Sequence, residues 1–260
     1  GKQGLIYQVR SYDLATMSII KGKTGWIVVD PLTGVENATR AWEVFKQHVD
    51  AHPKVSAVIF THSHVDHYKG VEAIVSADNI WEIAQEDYQK IMNNPKKIAK
   101  KSNGKVLVVA PQGFYDEAIS ENLYLGNSML RRGSYMYGSF FLFYTCQNVG
   151  VGLGKRVYTS SGSLLAPSFE VIPDADGTKE MLIDGLHFLF QNAPGTEAPA
   201  EFHFLIKEYK ALCPGENITH TMHNLLTPRG AKVRNAKAFG DVIHATMQLA
   251  DTYFDGEIKA

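Results

Sequence analysis

Residues 55–67 read VSAVIFTHSHVDH, an apolar run that passes abruptly into a segment rich in histidine. The apolar part, residues 55–60, has the length and continuous hydrophobicity of a buried strand. The six positions 62–67 after it hold three histidines and one aspartate. A strand that ends in such a loop is typical of layered α/β folds, in which functional groups lie at strand ends.

The spacing of the ligand-type residues in this loop predicts a metal site. Side chains alternate along an extended chain, so His62 and His64 point to the same side and can bind one cation. A turn after His64 would direct Asp66 and His67 toward a second cation nearby. Imidazole and carboxylate together suit zinc, and also manganese or iron. A polar loop with accidental histidines is the alternative, and four ligand-type residues in six positions disfavour it.

The rest of the chain shows two β-rich halves. Short β-rich runs precede the histidine loop, and apolar residues over 37–50 recur at helical spacing. Further strands are predicted at residues 106–110, 163–166, 169–172, 186–190, 202–206 and 211–213, and a last helix at residues 232–253. Two β-rich halves that each end in helices predict two packed sheets with helices outside, in one domain spanning residues 1–260.

The composition is that of an ordinary globular protein and excludes some function classes. Lys plus Arg number 26 and Asp plus Glu number 27, so the formal net charge is −1. A nucleic-acid partner is disfavoured because no basic excess is present to neutralise phosphates. The two cysteines, Cys146 and Cys213, are too few for a disulfide scaffold.

One segment has the length of a membrane span. Residues 133–154 carry no charge, but five glycines and several polar side chains interrupt them. A buried segment or the wall of a pocket is therefore the better interpretation, and no membrane span is predicted. The first residues show no signal-peptide pattern, which leaves the location of the protein open.

The motif His-x-His-x-Asp-His after an apolar strand resembles the metallo-β-lactamase superfamily. Asp30 ends the strand pattern WIVVD and matches the aspartate that supports the histidine loop in that superfamily, behind the metal ligands. Glu197 and Glu216 stand where most branches have a histidine and an aspartate. Together with Glu121-Asn122, Arg131-Arg132 and the segment NITHTMHN at 217–224, this substitution is similar to the alkylsulfatase branch. Members of that branch hydrolyse dodecyl sulfate and secondary alkyl sulfates.

The resemblance implies a four-layer αβ/βα sandwich and a hydrolase of alkyl sulfate esters that uses two zinc ions and a metal-activated water. His62, His64 and Glu197 would bind the first zinc. Asp66 and His67 would bind the second, and Glu216 would bridge the two. Arg229 matches an arginine that holds the sulfate group in the family. The substrate partner would be a small alkyl sulfate.

Charge counting supports a site with this many carboxylates. Two zinc ions bring four positive charges, and Asp66, Glu197 and Glu216 bring three negative ones. A bridging hydroxide makes the sum zero, since zinc lowers the pKa of its water to about 7. A sulfate ester with one negative charge would then meet a neutral site, where Arg229 could donate several hydrogen bonds to sulfate oxygens.

Two further histidines, His220 and His223, lie three residues apart just after Glu216. On one helical face they could relay a proton to the leaving alkoxide, which makes them candidate catalytic residues together with Arg229. An interpretation as structural histidines is favoured over this one.

The resemblance also implies parts that this chain does not contain. The family completes its second zinc site with a later histidine and continues into a dimerisation region and a sterol-carrier-like domain. We therefore expect a catalytic domain from a longer protein that forms a homodimer, and the resemblance favours a periplasmic or secreted location. Two alternatives stay open: a hydrolase of phosphate esters, thioesters or lactams with the same fold, and a metal-binding remnant without catalysis.

Overall fold

The computed structural model describes residues 4–138, 161–219 and 223–256. Six strands form the first sheet and are hydrogen-bonded in chain order. They are β1 (Ile6–Val9), β2 (Met17–Lys21), β3 (Trp26–Val29), β4 (Val55–Ile59), β5 (Leu107–Pro111) and β6 (Phe169–Val171). The second sheet contains β7 (Thr178–Ile183), β8 (Leu186–Asn192), β9 (Phe202–Ile206) and β10 (Ala211–Cys213). It is antiparallel, with the strand order β10-β9-β8-β7.

Six α-helices accompany the sheets within the described ranges. They are α1 (Val35–His48), α2 (Gln85–Gln89), α3 (Pro95–Ser102), α4 (Phe114–Ile119), α5 (Gly126–Met136) and α6 (Ala236–Tyr253). A π-helical turn, Ser120–Tyr124, joins α4 to α5. None of the helices in these ranges combines the length and the hydrophobicity that crossing a bilayer requires.

Alternating side chains of the first sheet divide the core into layers. Val28 and Val58 face the core that contains residues of α1, whereas Ile27 and Ile59 face the second sheet. On the far side of the second sheet, Leu205 packs with residues of α6. The order is therefore helix, sheet, sheet, helix, and the predicted four-layer sandwich is confirmed.

The histidine loop lies where the two sheets meet. β3, β4 and β5 are parallel neighbours, so their carboxyl ends lie at one edge of the sheet. Asp30 follows β3 and Thr61 follows β4. The backbone of His62 pairs with that of Glu201 in an isolated antiparallel bridge, and the Phe202 amide donates to the Thr61 carbonyl at 3.1 Å. This pairing brings the loops of the second sheet against the histidine loop.

The observed elements differ from the sequence predictions in several places, and α4 and α5 were not predicted. Residues 163–166 form no strand. Their apolar pattern arises because Leu165 packs in the hydrophobic core without being part of a sheet. The sequence missed β7, an edge strand whose Lys179 and Glu180 disguise its alternation. The last helix begins at Ala236 rather than at 232, because the Asn235 side chain caps it. Most of the segment 133–154, with Cys146, lies outside the described residues.

Candidate metal centre

The histidine loop is buried from the point where it follows β4, and it then turns sharply. His62, His64 and His67 are each less than 10% exposed. A 3-10 turn over Val65–His67 stands where the sequence predicts a turn, and it carries Asp66 and His67. Burial of three imidazoles within six residues requires that each ring nitrogen find a partner.

Hydrogen bonds behind His62 determine which of its nitrogens carries a proton. The hydroxyl of Thr61 donates to Asp30 Oδ2 at 2.7 Å, so its oxygen is left to accept from His62 Nδ1 at 3.0 Å. Nδ1 is therefore protonated, and Nε2 presents its lone pair. That lone pair faces Glu197 Oε2 at 3.3 Å.

His67 is oriented in the same way by the same aspartate. Its Nδ1 donates to Asp30 Oδ2 at 2.8 Å, and its Nε2 lies 3.1 Å from Glu216 Oε2 and 3.5 Å from Asp66 Oδ2. Asp30 also accepts from the Thr61 amide at 2.8 Å, and it adopts a left-handed backbone with φ of 53°. Asp30 thus lies behind the loop, where the sequence places it, and fixes two imidazoles.

Three groups of potential ligands result; Glu197, Glu216 and His223 form one of them, and the other two share His62. One group is His62, His64 and Glu197, in which His64 Nδ1 lies 2.5 Å from Glu197 Oε2. The other is His62, His67 and Glu216, whose Oε2 lies 3.7 Å from His62 Nε2. Glu216 therefore lies between the two groups. Asp66 reaches the second group through His67.

Unsatisfied polar atoms show that these residues fit a metal ion. Four buried side-chain atoms of the cluster have no hydrogen-bond partner: His62 Nε2, His64 Nε2, Glu121 Oε1 and Glu197 Oε2. Each such atom costs about 1–3 kcal/mol when it is left alone in the interior. Imidazole lone pairs that face carboxylate oxygens need a cation between them, and metal ions satisfy both.

The histidines and carboxylates of the cluster shift each other's pKa values. Burial acts to raise the pKa of the Glu216 carboxyl, but hydrogen bonds with His223 and His67 hold that pKa well below its ordinary value. Burial acts to lower the pKa of His67, but the Asp30 and Asp66 carboxylates outweigh burial and raise it well above its ordinary value. The two kinds of side chain therefore stabilise each other's charged forms at this edge of the sheets.

The fold and this ligand set agree with a comparison against protein families. The model of the metallo-beta-lactamase superfamily matches residues 13–138, which include Asp30 and the whole histidine loop. The chain belongs to the metallo-β-lactamase superfamily. A B3 metallo-beta-lactamase, BLEG-1, shares the fold at 13% identity and a TM-score of 0.53 over 95% of this chain and 87% of its own.

Within this superfamily the chain is similar to alkylsulfatases. A linear primary-alkylsulfatase of Pseudomonas sp is 40% identical over 94% of this chain and 32% of its own length. The alkyl/aryl-sulfatase BDS1 of Saccharomyces cerevisiae is 35% identical over 92% and 33%. The structure of the inverting sec-alkylsulfatase Pisa1 from Pseudomonas sp. superposes with a TM-score of 0.81 at 33% identity, over 98% of this chain and 36% of that one. The chain spans about one third of the length of these relatives.

Glu121 contacts the first ligand group, and the sequence analysis assigned no role to it. It lies in the π-helical turn, is 6% exposed, and has Oε1 3.7 Å from His64 Nε2. Such turns widen a helix locally and are frequent at functional sites. Glu121 comes from a segment remote from the histidine loop, so no local spacing signals it; the resemblance of the pair Glu121-Asn122 was the one available signal.

Arg229 lies beside the cluster but is paired. Its Nη1 donates to Glu121 Oε2 at 3.2 Å, and the same nitrogen lies 3.2 Å from Met129 Sδ. The hydroxyl of Tyr137 also contacts the guanidinium. Glu121 therefore links the arginine predicted for sulfate to His64 of the first ligand group.

Arg234 is a second residue that the sequence missed. Its Nε donates to the Glu197 carbonyl at 2.7 Å, and its Nη2 lies 2.5 Å from Glu197 Oε1. Nη1 donates to the Asn224 side chain at 2.8 Å. Arg234 therefore pairs with Oε1 of Glu197, whereas Oε2 faces His62 and His64. A single arginine just before a helix cap has no recognisable pattern, so sequence inspection could not single it out.

The two histidines after Glu216 had been expected on one helical face. His220 lies outside the described residues. His223 lies in a segment without regular structure, so the helical placement is wrong for it. Its Nδ1 donates to the Asn224 carbonyl at 2.9 Å, and its Nε2 lies 3.3 Å from both Glu197 Oε1 and Glu216 Oε1. His223 therefore belongs to the carboxylate cluster, and a hydrogen bond from its ring to the Asn224 carbonyl, rather than a helix, orients it.

Proposed function

We propose that this chain is the catalytic domain of a zinc-dependent hydrolase of alkyl sulfate esters. The observation that carries the proposal is Glu216, which lies between two imidazole groups whose lone pairs face carboxylates. A carboxylate in that position suits a bridge between two cations. The similarity to alkylsulfatases over more than nine tenths of the chain supports sulfate esters as the substrate class.

The ligand assignment keeps the first group and, in the second, takes Asp66 in place of His62. His62, His64 and Glu197 would hold one zinc ion, and Asp66 and His67 would hold the other, with Glu216 between them. When bound, the ions supply positive charge and lower the pKa of a water molecule that can then act as the nucleophile. Asp30 keeps Nδ1 of His67 protonated, so that Nε2 is available as a ligand.

Arg229 would hold the sulfate group of the substrate. A guanidinium offers a planar set of donors that matches the oxygens of a sulfate. Glu121 uses Nη1 of that guanidinium and thereby sets its orientation beside His64. Because Glu121 balances the charge of Arg229, the pair can stay at a buried site before a substrate arrives.

Proton delivery to the leaving alkoxide would fall to His223. Its Nδ1 is committed to a backbone carbonyl, so a proton on Nε2 would point into the cluster, toward the two glutamates. Such a placement suits a general acid at the site. His220 stays a prediction for the same role.

The test is sulfate release by the purified protein from dodecyl sulfate and from a secondary alkyl sulfate, with a phosphate monoester as the control substrate. We expect release that a chelator abolishes and added zinc restores. A protein that holds two zinc ions but releases no sulfate, and instead cleaves the phosphate monoester, would overturn the proposal. The predicted homodimer is a separate matter, checked by sedimentation of the same preparation.

A further inference from the structure

A buried hydrogen-bond chain joins α6 to the loop that carries Glu197. Its members are Thr246 of α6, His203 of β9, Asn217 and Thr196, and each is less than 5% exposed. His203 points to the outer face of the second sheet, opposite to its neighbours Phe202 and Phe204 in the inner core. This hydrogen-bond chain thus reaches the loop of Glu197 from the side of the second sheet that carries α6.

The direction of each bond can be read from the helix inward. The Thr246 hydroxyl donates to the Val242 carbonyl at 2.7 Å, so its oxygen must accept from His203 Nδ1, also at 2.7 Å. Nδ1 of His203 therefore carries the proton. Its Nε2 has the lone pair, and it accepts from Asn217 Nδ2 at 2.6 Å.

The orientation of the Asn217 amide follows from that tautomer. Its second N–H donates to Thr196 Oγ1 at 2.9 Å, and its oxygen accepts from the Glu197 backbone amide at 3.1 Å. If His203 were protonated on Nε2, two donors would face each other and the amide would have to turn over. A reversed amide would then present N–H groups to the N–H of Glu197.

A positively charged His203 would disrupt the hydrogen-bond chain in the same way as the other tautomer, because its Nε2 would also carry a proton. Burial lowers the pKa of His203 to about 4, so the ring is neutral at neutral pH. The hydrogen bonds that the ring makes within the described residues are to Thr246 and Asn217, and neither partner is charged.

We infer that His203 is a positioning residue for Glu197. Held by Thr246 in its Nδ1–H form, it fixes the amide of Asn217, which in turn fixes the backbone of Glu197. Arg234 then orients the carboxylate from the other side. The inference rests on the proposed role of Glu197 as a zinc ligand, and it makes α6 part of the support of the metal site.

The first test reads the tautomer directly. Long-range proton–nitrogen NMR spectra of the imidazoles distinguish the two neutral forms, and the signals that disappear in His203→Gln identify this ring. We expect the Nδ1–H form in the wild-type protein and a loss of that form in Thr246→Val. An Nε2–H form in the wild type would overturn the inference.

The second test measures zinc affinity by competition with a chromophoric chelator. Supporting residues behind metal ligands change affinity by about 10- to 100-fold. We expect Thr246→Val to weaken binding about tenfold, and Thr246→Ser, which keeps the hydroxyl, to restore it. Thr252→Val is the matched control, because Thr252 on the same helix donates in the same way to the Gln248 carbonyl but is exposed.

The outcomes separate the two proposals. Equal zinc affinity in Thr246→Val and Thr252→Val would overturn the positioning role while leaving the metal site intact. A wild-type protein without affinity for zinc would overturn the proposed function, and with it this inference. Thermal unfolding of each variant shows whether it folds; if Thr246→Val does not, the tautomer of the wild-type ring still decides.

Discussion

Two buried histidines, one at the end of β4 and one in β9, are held alike and face different neighbours. His62 and His203 are both fully buried, and each donates its Nδ1 proton to a threonine hydroxyl. The Nε2 lone pair of His62 faces two glutamates and has no hydrogen-bond partner. That of His203 accepts from the amide of Asn217.

The difference lies in the charge that each lone pair meets. An amide donor satisfies a neutral imidazole completely, so His203 completes a closed network and needs no further partner. Carboxylate oxygens repel the lone pair of His62 Nε2. A cation between them would satisfy both the lone pair and the oxygens. The same side chain in the same tautomer thus serves as a support in one region and as a ligand in the other.

The largest effect is expected from His62→Ala, which removes a residue shared by both ligand groups. Zinc content should fall, and sulfate release should drop at least about 1,000-fold, because a lost metal ion removes several kcal/mol of charge stabilisation. Metal analysis and initial rates measure both effects. His187→Ala, at an exposed histidine that pairs with Glu208, is the control and should match the wild type. Full zinc content in His62→Ala would contradict the ligand assignment.

A pH titration should expose the support role of His203. Its folded-state pKa of about 4 lies below the unfolded value of about 6.5. Between these pH values the unfolded chain binds a proton that the folded protein does not. The contribution is therefore fully present above pH 6.5 and is lost as pH falls toward 4, by about 3 kcal/mol.

The measurement is the free energy of unfolding of the wild type and of His203→Gln from pH 7 to pH 4. The variant cannot take up this proton, so the difference between the two proteins should shrink as the pH falls. A constant difference over that range would show that His203 does not stay neutral in the folded protein.

A smaller effect is expected from Thr61→Val, which removes the acceptor of the His62 Nδ1 proton. The imidazole loses the bond that selects its tautomer, and zinc affinity should fall about 10-fold, at the lower end for supporting residues. Thr61→Ser keeps the hydroxyl and should retain most of the affinity. If valine and serine weakened zinc binding equally, packing of the methyl group rather than the hydrogen bond would be responsible.

The smallest effect is expected from Glu201→Gln. Burial and the nearby Glu197 carboxylate raise the pKa of Glu201 well above its ordinary value, which favours the neutral acid. A glutamine imitates that form, and zinc affinity should change less than about twofold. Glu197→Gln, the matched variant four residues earlier, should lose most of its zinc. Equal losses of zinc in both variants would contradict the assignment of Glu197, and not Glu201, as a zinc ligand.

How far the sequence predicts this molecule depends on how far apart the partners lie in the chain. The histidine loop could be predicted, because it follows an apolar strand and the spacing of its histidines follows from strand geometry. The role of Asp30 was predicted from the family resemblance. The four-layer fold could be predicted from the same motif and its resemblance. Strand β7 could not, since its charged residues hide the alternation of an edge strand.

Partners brought from remote segments left no local pattern. Glu121 depends on a π-helical turn, and Arg234 on a loop before α6, so their places in the site are decided by packing between layers. Glu197 and Glu216 were identified through resemblance rather than spacing. The helical face predicted for His223 failed because a local backbone bond, not a helix, orients its ring.

The arrangement of ligands across the two sheets also has a mechanical meaning. Imidazoles come from the first sheet and glutamates from loops of the second, and His67 and Glu216 are 149 residues apart in the chain. Ions held between them would crosslink the halves of the sandwich and close a very long loop. Separation of the two sheets during unfolding would then require the metal–ligand bonds to break first. Those bonds would therefore control the unfolding rate and the lifetime of the folded state.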